Sequence, residues 1–413
     1  MPKNIVIPPD RLGEALDKGI PFDGSSIAGY ATIEESDKIA KPDSKSFVII
    51  PQEIEKRKTA KLNCDIYEPN GRRFLGDTKY VLERVVNKAK KLGYVYNTGP
   101  ECEFFLFKKD GDDSTLTPND AAGYFDLSHR DLAEGVRADM SLALEALGVK
   151  TYTSHHEVSD GQHEINFRYA DALTTADRVI TLKYVTKVIA RKHELYASFM
   201  PKPIFGLNGS GMHTHLSLFT DSGKNVFHDP KEKDQLSKLA RYFIAGLLKY
   251  VKEITAILNP TVNSYKRLVP GYEAPTYISW ANRNRSALIR IPTGRGNSTR
   301  CELRSPDLSG NPYLQFAVML AAGIKGIEEG LMPAEAVEKN IYALSDKEKE
   351  KCGIHHLPES LGHALSLMEE SKLLKETLGE HVFENFLHVK KTEWNKYRTQ
   401  VTPWEIDRYL QIL

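Results

Sequence analysis

The chain has 413 residues, of which 41% are hydrophobic and 27% charged, with 56 Lys or Arg against 55 Asp or Glu. This length accommodates two or more domains, and the composition is that of an ordinary soluble globular protein. The net charge of +1 gives no general reason to expect nucleic acid or an anionic membrane as partner, and no long apolar run or signal-type start is present. The four cysteines are scattered without a CxxC pair, which indicates reduced thiols and no zinc site. We therefore predict a cytoplasmic protein.

Residues 1–75 predict a small β-rich N-terminal domain. Its expected elements are three strands and one short helix, at residues 4–7, 31–34, 46–51 and 9–18. Between them, the glycine-bracketed loop 22–30 can hold Asp23 and Ser26 in a tight turn, although taken alone it is a surface loop. The first strand has no preceding partner in the sequence, so we expect the domain to be shortened.

Residues 76–413 are expected to form a second, larger domain. Helices are expected in four stretches, at residues 77–91, 132–147, 171–193 and 315–331. Strands lie between them, and the chain after residue 331 is mostly helical. The segment 402–413 ends in exposed-looking apolar residues, which invite a partner surface.

The strand 99–107 carries two carboxylates on one face. Because side chains alternate along a strand, Glu101 and Glu103 point to one side, and Cys102 and Phe104 point to the other. Neighbouring carboxylates are costly without a positive charge between them, and the apolar face indicates that the strand is packed. A bound cation and a solvated acidic face explain this strand equally well when it is taken alone.

Other strands repeat the pattern of one polar and one apolar face. Asp160-Gly161 predicts a hairpin whose arms carry Glu157 and Glu164 on their polar faces. Two further strands have polar faces, made of His213, His215 and Ser217 and of Arg300, Glu302 and Arg304. Such strands fit a sheet that covers a core on one side and lines a polar cavity on the other.

If the polar faces converge, the cavity contains five carboxylates and an imidazole. These residues are Glu101, Glu103, Glu157, Glu164, Glu302 and His213. They could hold two hard divalent cations, Mg²⁺ or Mn²⁺, with room for water and substrate phosphate. A structural salt-bridge network is the competing interpretation.

Arginines after these strands favour catalysis. The segment 263–275 joins a cationic patch to a loop braced by Pro270 and Pro275, and it has the character of a mobile flap with Glu273 at its tip. The segment 282–292 supplies further guanidinium groups, which bind carboxylate and phosphate bidentately. Metals beside several arginines suggest phosphoryl transfer, although neither a Walker A loop nor a kinase glycine loop is present.

Six motifs follow one another along the chain: Phe22-Asp23-Gly24-Ser25-Ser26, Glu101-x-Glu103, His156-Glu157 with Gly161-Gln162-His163-Glu164, Asn208-Gly209-Ser210-Gly211-Met212-His213, Asn263 to Pro275, and Arg300-x-Glu302-x-Arg304. In this order they resemble the motifs of the glutamine synthetase family, type I, of bacteria and archaea. The resemblance implies an α+β fold, with a β-grasp N-terminal domain and a catalytic domain whose curved antiparallel sheet lines a funnel surrounded by helices. It also implies a homododecamer of two stacked hexamer rings, with active sites between adjacent subunits.

The resemblance implies a role for each motif residue. One cation would be held by Glu103, Glu157 and Glu164, and the other by Glu101, His213 and Glu302. The substrate-binding residues, for glutamate and ammonium, would be Ser26, Tyr124, Asn208, Gly209, Arg267 and Arg304. The contacts with ATP would be His215, Ser217, Arg290 and Arg300, and the catalytic residues would be Asp23, Glu273 and Arg285.

The implied reaction is the ATP-dependent ligation of ammonia to L-glutamate. The γ-phosphoryl group moves to the side-chain carboxylate of glutamate, while metals and arginines neutralise charge. Ammonium then binds near Tyr124, Glu157, Glu273 and the adjacent subunit's Asp23, which takes a proton from it. Glu273 shields the γ-glutamyl phosphate from water and takes a second proton. Glutamine, ADP and phosphate leave.

Two alternatives stay open. A γ-glutamyl ligase for another amine would share most motifs, but the acidic rim of the ammonium site favours ammonia. A non-catalytic oligomeric scaffold or nitrogen sensor is kept open because an N-terminal helix and first strand of the family are expected to be missing. Tyr342 falls where some relatives are adenylylated, yet Ala343-Leu344-Ser345 follows it, so we expect no such control.

Overall fold

The computed structural model describes residues 2–52, 54–111, 113–127, 129–232 and 234–413. The strands are β1 (Ile20–Asp23), β2 (Asp37–Pro42), β3 (Val48–Ile50), β4 (Thr59–Lys61), β5 (Cys64–Tyr67), β6 (Val95–Asp110), β7 (Asp113–Pro118), β8 (Thr151–His156), β9 (Gln162–Phe167), β10 (Ala170–Asp171), β11 (Leu195–Ser198), β12 (Thr214–Phe219), β13 (Tyr277–Ile278), β14 (Trp280–Ala281), β15 (Ile289–Arg290), β16 (Cys301–Leu303) and β17 (His355–His356). The helices are α1 (Leu12–Lys18), α2 (Thr78–Lys91), α3 (Glu134–Ala146), α4 (Ala172–Lys192), α5 (Lys238–Leu258), α6 (Ser264–Arg267), α7 (Pro312–Glu328), α8 (Asp346–Lys351), α9 (Leu361–Glu369), α10 (Lys372–Leu378), α11 (Glu380–Arg398) and α12 (Pro403–Tyr409). Within the described ranges, no helix is long and apolar enough to span a bilayer.

The N-terminal part contains an antiparallel sheet of β1, β2 and β5, in that order, and a separate pair of β3 with β4. The predicted helix is present as α1. The two strands predicted at residues 4–7 and 31–34 are wrong, because neither segment forms a strand. The strand that pairs with both β1 and β5 is β2, at Asp37–Pro42. Apolar residues alone do not make a strand, since its backbone groups need a partner. We propose a domain boundary after residue 75, before α2.

The large sheet has the order β14-β15-β16-β12-β6-β9-β8, and β7, β10 and β11 also pair with β6. Its strands pair antiparallel, apart from β14 and β15, which run parallel. The predicted antiparallel sheet is therefore correct except at this edge. The long strand β6 pairs directly with β7, β9, β10, β11 and β12.

The apolar face of β6 is packed in the core. Cys102, Phe104 and Leu106 are fully buried, and α4 packs against this strand while α7 contacts both α4 and α5. The helices α5 and α7 approach each other so closely at Gly246 that a Cβ atom there would lie 2.2 Å from the carbonyl oxygen of Ala322. Since helices cover the apolar face, the polar residues of β6 are left to form a site.

Candidate active site

Strand register brings polar residues from distant parts of the sequence together. β6 lies between β9 and β12, and its register places Glu103 opposite Glu164. β16 pairs with the other edge of β12 and sets Glu302 opposite His215. The predicted convergence of the polar strand faces is therefore present.

Cluster A consists of Glu101, His213 and Glu302, whose candidate ligand atoms all lie within 4.8 Å of one another. The Nδ1 atom of His213 lies 3.2 Å from Glu101 Oε2 and 3.8 Å from Glu302 Oε1. Burial alone would raise the pKa of Glu101, but hydrogen bonds with His213 and His215 outweigh it and lower that pKa. Carboxylate oxygens with an imidazole nitrogen suit a divalent cation such as Mg²⁺ or Mn²⁺.

Cluster B consists of His155, Glu157 and Glu164, whose candidate ligand atoms also lie within 4.8 Å of one another. The two ring nitrogens of His155 lie 3.5 Å from Glu157 Oε1 and 3.2 Å from Glu164 Oε1. His155 was not among the predicted site residues, although strand alternation put it on the same face as Glu157. That shared face is the signal that could have identified it.

Glu103, which was predicted to bind one cation together with Glu157 and Glu164, lies beside cluster B. Its Oε2 accepts hydrogen bonds from the backbone N–H of Gly211 at 2.8 Å and from Gln162 Nε2 at 3.2 Å. Burial raises the pKa of Glu157 to about 9, and the charges of Glu103 and Glu164 contribute. Negative charge is concentrated here, and the imidazole of His155 lies between Glu157 and Glu164 without preventing the rise in the pKa of Glu157. A divalent cation would neutralise more of this charge.

Two of the predicted substrate-side arginines bind Glu302. Arg290 Nε donates to Glu302 Oε2 and Arg304 NH1 donates to Glu302 Oε1, each at 2.6 Å. Burial alone would raise the pKa of Glu302, but the charge of Arg304 and other positive groups lower it. Arg304 Nε is buried without a hydrogen-bond partner among the described residues, so this donor is unused.

Arg267 is buried behind the glycine-rich segment. Its guanidinium donates to the carbonyl oxygens of Ser305 at 2.7 Å and Arg304 at 3.2 Å. A Cβ atom at Gly211 would lie 2.4 Å from Arg267 NH2, and one at Gly209 would lie 2.2 Å from a backbone oxygen. Glycine at these positions lets the backbone approach the guanidinium closely.

The residues predicted to contact the nucleotide connect to cluster A. Arg300 Nε donates to His215 Nδ1 at 3.2 Å, so the proton of the neutral His215 ring lies on Nε2. That nitrogen then donates to Glu101 Oε1 at 2.9 Å. Ser217 follows on β12 and is buried.

The predicted flap acid lies near cluster B. Glu273 has a left-handed backbone with φ of 60°, and its Oε2 accepts a hydrogen bond from Asn208 Nδ2 at 3.1 Å. Its charge contributes to the raised pKa of Glu157. Burial, followed by the charge of Glu157, raises the pKa of Tyr124, and the charge of Arg285 opposes this rise. These predicted residues therefore surround one region.

Asp23 and Ser26 are not part of this convergence. The carboxylate of exposed Asp23 accepts hydrogen bonds from Ser25 and Ser26, which lower its pKa. Among the described residues, no hydrogen bond or ion pair connects Asp23 to either cluster.

Two family models match the chain: "Glutamine synthetase, beta-Grasp domain" over residues 1–69 and "Glutamine synthetase, catalytic domain" over residues 75–409. The glutamine synthetase of Clostridium saccharobutylicum is 53% identical over 409 residues, covering 99% of this chain and 92% of that protein. The glutamine synthetase of Thermus thermophilus is 52% identical over 414 residues, with 99% and 92% covered.

Solved structures are also similar. A structure titled "GmaS/ADP complex-Conformation 1" is 34% identical, with a TM-score of 0.89 over 98% of this chain and 93% of that chain. The cryo-EM structure of Plasmodium falciparum glutamine synthetase is 26% identical, with a TM-score of 0.84 over 96% and 90%. Since both domain models and full-length relatives agree with the resemblance found in the motifs, the chain belongs to the glutamine synthetase family.

Proposed function

We propose that clusters A and B hold the divalent cations, Mg²⁺ or Mn²⁺, with which this chain ligates ammonia to L-glutamate. The observation that carries the proposal is the raised pKa of Glu157, about 9, beside two further carboxylates. It supports a cation at cluster B because a divalent ion would neutralise the negative charge concentrated there. When bound, the cations would neutralise the phosphate oxygens of ATP and polarise the transferred group.

Arginines would bind and orient the substrates. Arg267 and Arg304, with the backbone at Gly209, are proposed to bind glutamate, and the hydrogen bond of Arg304 to Glu302 places this arginine beside cluster A. Arg285 and Arg290 are proposed to neutralise the phosphoryl group as it passes to the side-chain carboxylate of glutamate. Arg290 also contacts Glu302, so this arginine would link the phosphate to cluster A.

The proposed ammonium site combines residues of two subunits. Tyr124, Glu157 and Glu273 belong to one subunit, and the adjacent subunit would supply Asp23 with Ser26. The exposure of Asp23 and its separation from its own clusters support a role across an interface. Ionised Asp23 would bind ammonium and take its proton, and Glu273 would keep water from the γ-glutamyl phosphate. We propose the two-ring dodecamer as the assembly that forms this interface.

The first experiment measures phosphate release from ATP with Mg²⁺ and glutamate, with and without ammonium, and the glutamine formed. Glu157→Gln is expected to abolish glutamine formation, because it removes a carboxylate from cluster B. Glu369→Gln is the matched control, since Glu369 forms a surface ion pair with Lys391 at 2.6 Å. If product forms with ethylamine but not with ammonium, ammonia is not the amine substrate. If the Glu157→Gln enzyme is active, the assignment of a cation to cluster B is refuted.

The second experiment tests the shared site by mixing inactive subunits. Asp23→Asn and Glu157→Gln chains are each expected to be inactive alone. Randomly mixed assemblies are expected to regain about a quarter of wild-type activity, because a site with both native residues forms where the two chain types meet in one orientation. If mixed oligomers, verified by mass, recover no activity, then Asp23 does not complete the active site of an adjacent subunit and the shared site is refuted.

A further inference from the structure

A buried polar network lies behind the hairpin that carries cluster B. Its centre is Asp120, whose side chain is 0% exposed. The carboxylate of Asp120 accepts hydrogen bonds from His156 Nε2 at 2.9 Å and from the backbone N–H groups of Gly161 at 3.1 Å and Leu132 at 3.1 Å. Asn119 Nδ2 donates to it as well, at 2.8 Å. Four donors to one buried carboxylate make a well-satisfied anion.

His156 joins this anion to a proposed metal ligand. Its Nδ1 lies 2.7 Å from the backbone oxygen of Glu157. A carbonyl oxygen only accepts, so Nδ1 carries a proton, while Nε2 donates to Asp120. Both ring nitrogens therefore donate, and the His156 side chain, which is 0% exposed, forms a buried ion pair with Asp120.

The neighbouring His163 is neutral and completes the network. Its Nδ1 lies 3.0 Å from Arg137 NH1, a group that only donates, and its Nε2 lies 3.2 Å from Asn119 Oδ1. Arg137 is in turn held by Asp131 at 2.6 Å and 2.9 Å. Candidate ligand atoms of Asp120, His156 and His163 lie within 4.8 Å of one another. Because the ring nitrogens are engaged and a guanidinium lies against them, these residues are a hydrogen-bond network and not a further metal site.

We infer that Asp120 and His156 are positioning residues that aim the carboxylates of cluster B. Asp120 Oδ1 contacts both arms of the hairpin, through His156 at the end of β8 and through Gly161 immediately before β9. The ring of His156 then holds the backbone of Glu157. This inference rests on the proposed metal binding by cluster B. Groups that orient metal ligands typically change metal affinity by about 10- to 100-fold when removed.

The first test uses Asp120→Asn, with Mn²⁺ binding measured by calorimetry in the absence of substrates. We expect Mn²⁺ affinity to fall by about 10- to 100-fold. The matched control is Asp139→Asn, which breaks another His–Asp pair, between His193 Nε2 and Asp139 Oδ2 at 2.8 Å; Asp139 is an exposed residue of α3, and His193 directly follows α4. The control is expected to bind Mn²⁺ like the wild type.

The second test separates the two contacts of His156 and stays informative if Asp120→Asn fails to fold. In His156→Asn the amide nitrogen takes the place of Nδ1 and keeps the contact with the Glu157 oxygen. In His156→Gln it takes the place of Nε2 and keeps the contact with Asp120. We expect His156→Gln to lose more Mn²⁺ affinity than His156→Asn, because only the latter still holds the backbone of Glu157.

Lower thermal stability with unchanged Mn²⁺ affinity in both His156 variants would overturn the inference and leave the network with a structural role. Equal losses of affinity in the two variants would also overturn it, since the contact with Glu157 would then not be the one that matters. The proposed function fails separately, if the wild-type protein itself binds no Mn²⁺ and forms no glutamine.

Discussion

Replacing Gly211 by alanine should disturb glutamate binding through Arg267. The new Cβ atom would lie 2.4 Å from Arg267 NH2, whereas ordinary van der Waals contact begins at 3.4 Å, so the two must separate by about 1 Å. The backbone of Gly211 has no positive φ, so the substitution acts through this contact and not through backbone strain.

Displacement of the Arg267 side chain would lower the stability of the folded protein. Arg267 is 2% exposed, and its guanidinium is held by the carbonyl oxygens of Ser305 and Arg304. Losing one hydrogen bond to a charged group costs about 1.5–3 kcal/mol. A displacement of about 1 Å in a substrate-binding group can lower kcat/KM by about 100-fold. We therefore expect Gly211→Ala to fold with reduced thermal stability and with kcat/KM for glutamate lower by roughly that factor.

The assay is steady-state glutamine formation over a range of glutamate concentrations, together with thermal unfolding. Gly135→Ala is the control, because Gly135 lies in α3 and an added Cβ there would meet nothing within 4 Å. It should keep full activity and gain up to about 1 kcal/mol of helix stability. A Gly211→Ala enzyme with kcat/KM within twofold of the wild type would refute the reasoning, since Arg267 would then move freely or take no part in glutamate binding.

Three further predictions concern charge, packing and the nucleotide. In metal-free protein the pKa of Glu157 is raised to about 9 from its ordinary value of 4.5, so the folded state keeps a proton that the unfolded chain releases. Stability should therefore fall as pH rises between these values, and Glu157→Gln should remove this contribution in unfolding measured with EDTA at pH 6 and pH 8.5. Gly246→Ala would place a Cβ atom 2.2 Å from the Ala322 oxygen and should destabilise the α5–α7 contact by about 1–3 kcal/mol, seen as a lower unfolding midpoint; an unchanged midpoint would contradict the close packing. Arg300→Gln should raise KM for ATP several-fold, as measured at saturating glutamate, because it removes the donor that orients His215; a KM equal to wild type would remove Arg300 from the nucleotide contacts.

The strand periodicity and the motifs could be read from the sequence because each depends on residues close together in the chain. Alternation of side chains placed Glu101 and Glu103 on one face and buried Cys102 on the other, as the structure has them. Helix periodicity predicted α2 and α4 to within one or two residues. The same local logic failed for residues 4–7, because a strand also needs a partner, and pairing is a property of the whole chain.

Only the tertiary structure decided which side chains meet across strands. The sequence does not state that β12 lies between β6 and β16, and this order creates cluster A. It likewise did not predict that His155 joins cluster B, that Arg290 and Arg304 both bind Glu302, or that Asp120 holds the hairpin from behind. The sequence alone determined the family, the strand faces and the chemical types of the site residues. The partners of each charged group were settled by folding, because they come from segments up to two hundred residues apart that meet only through long-range strand pairing.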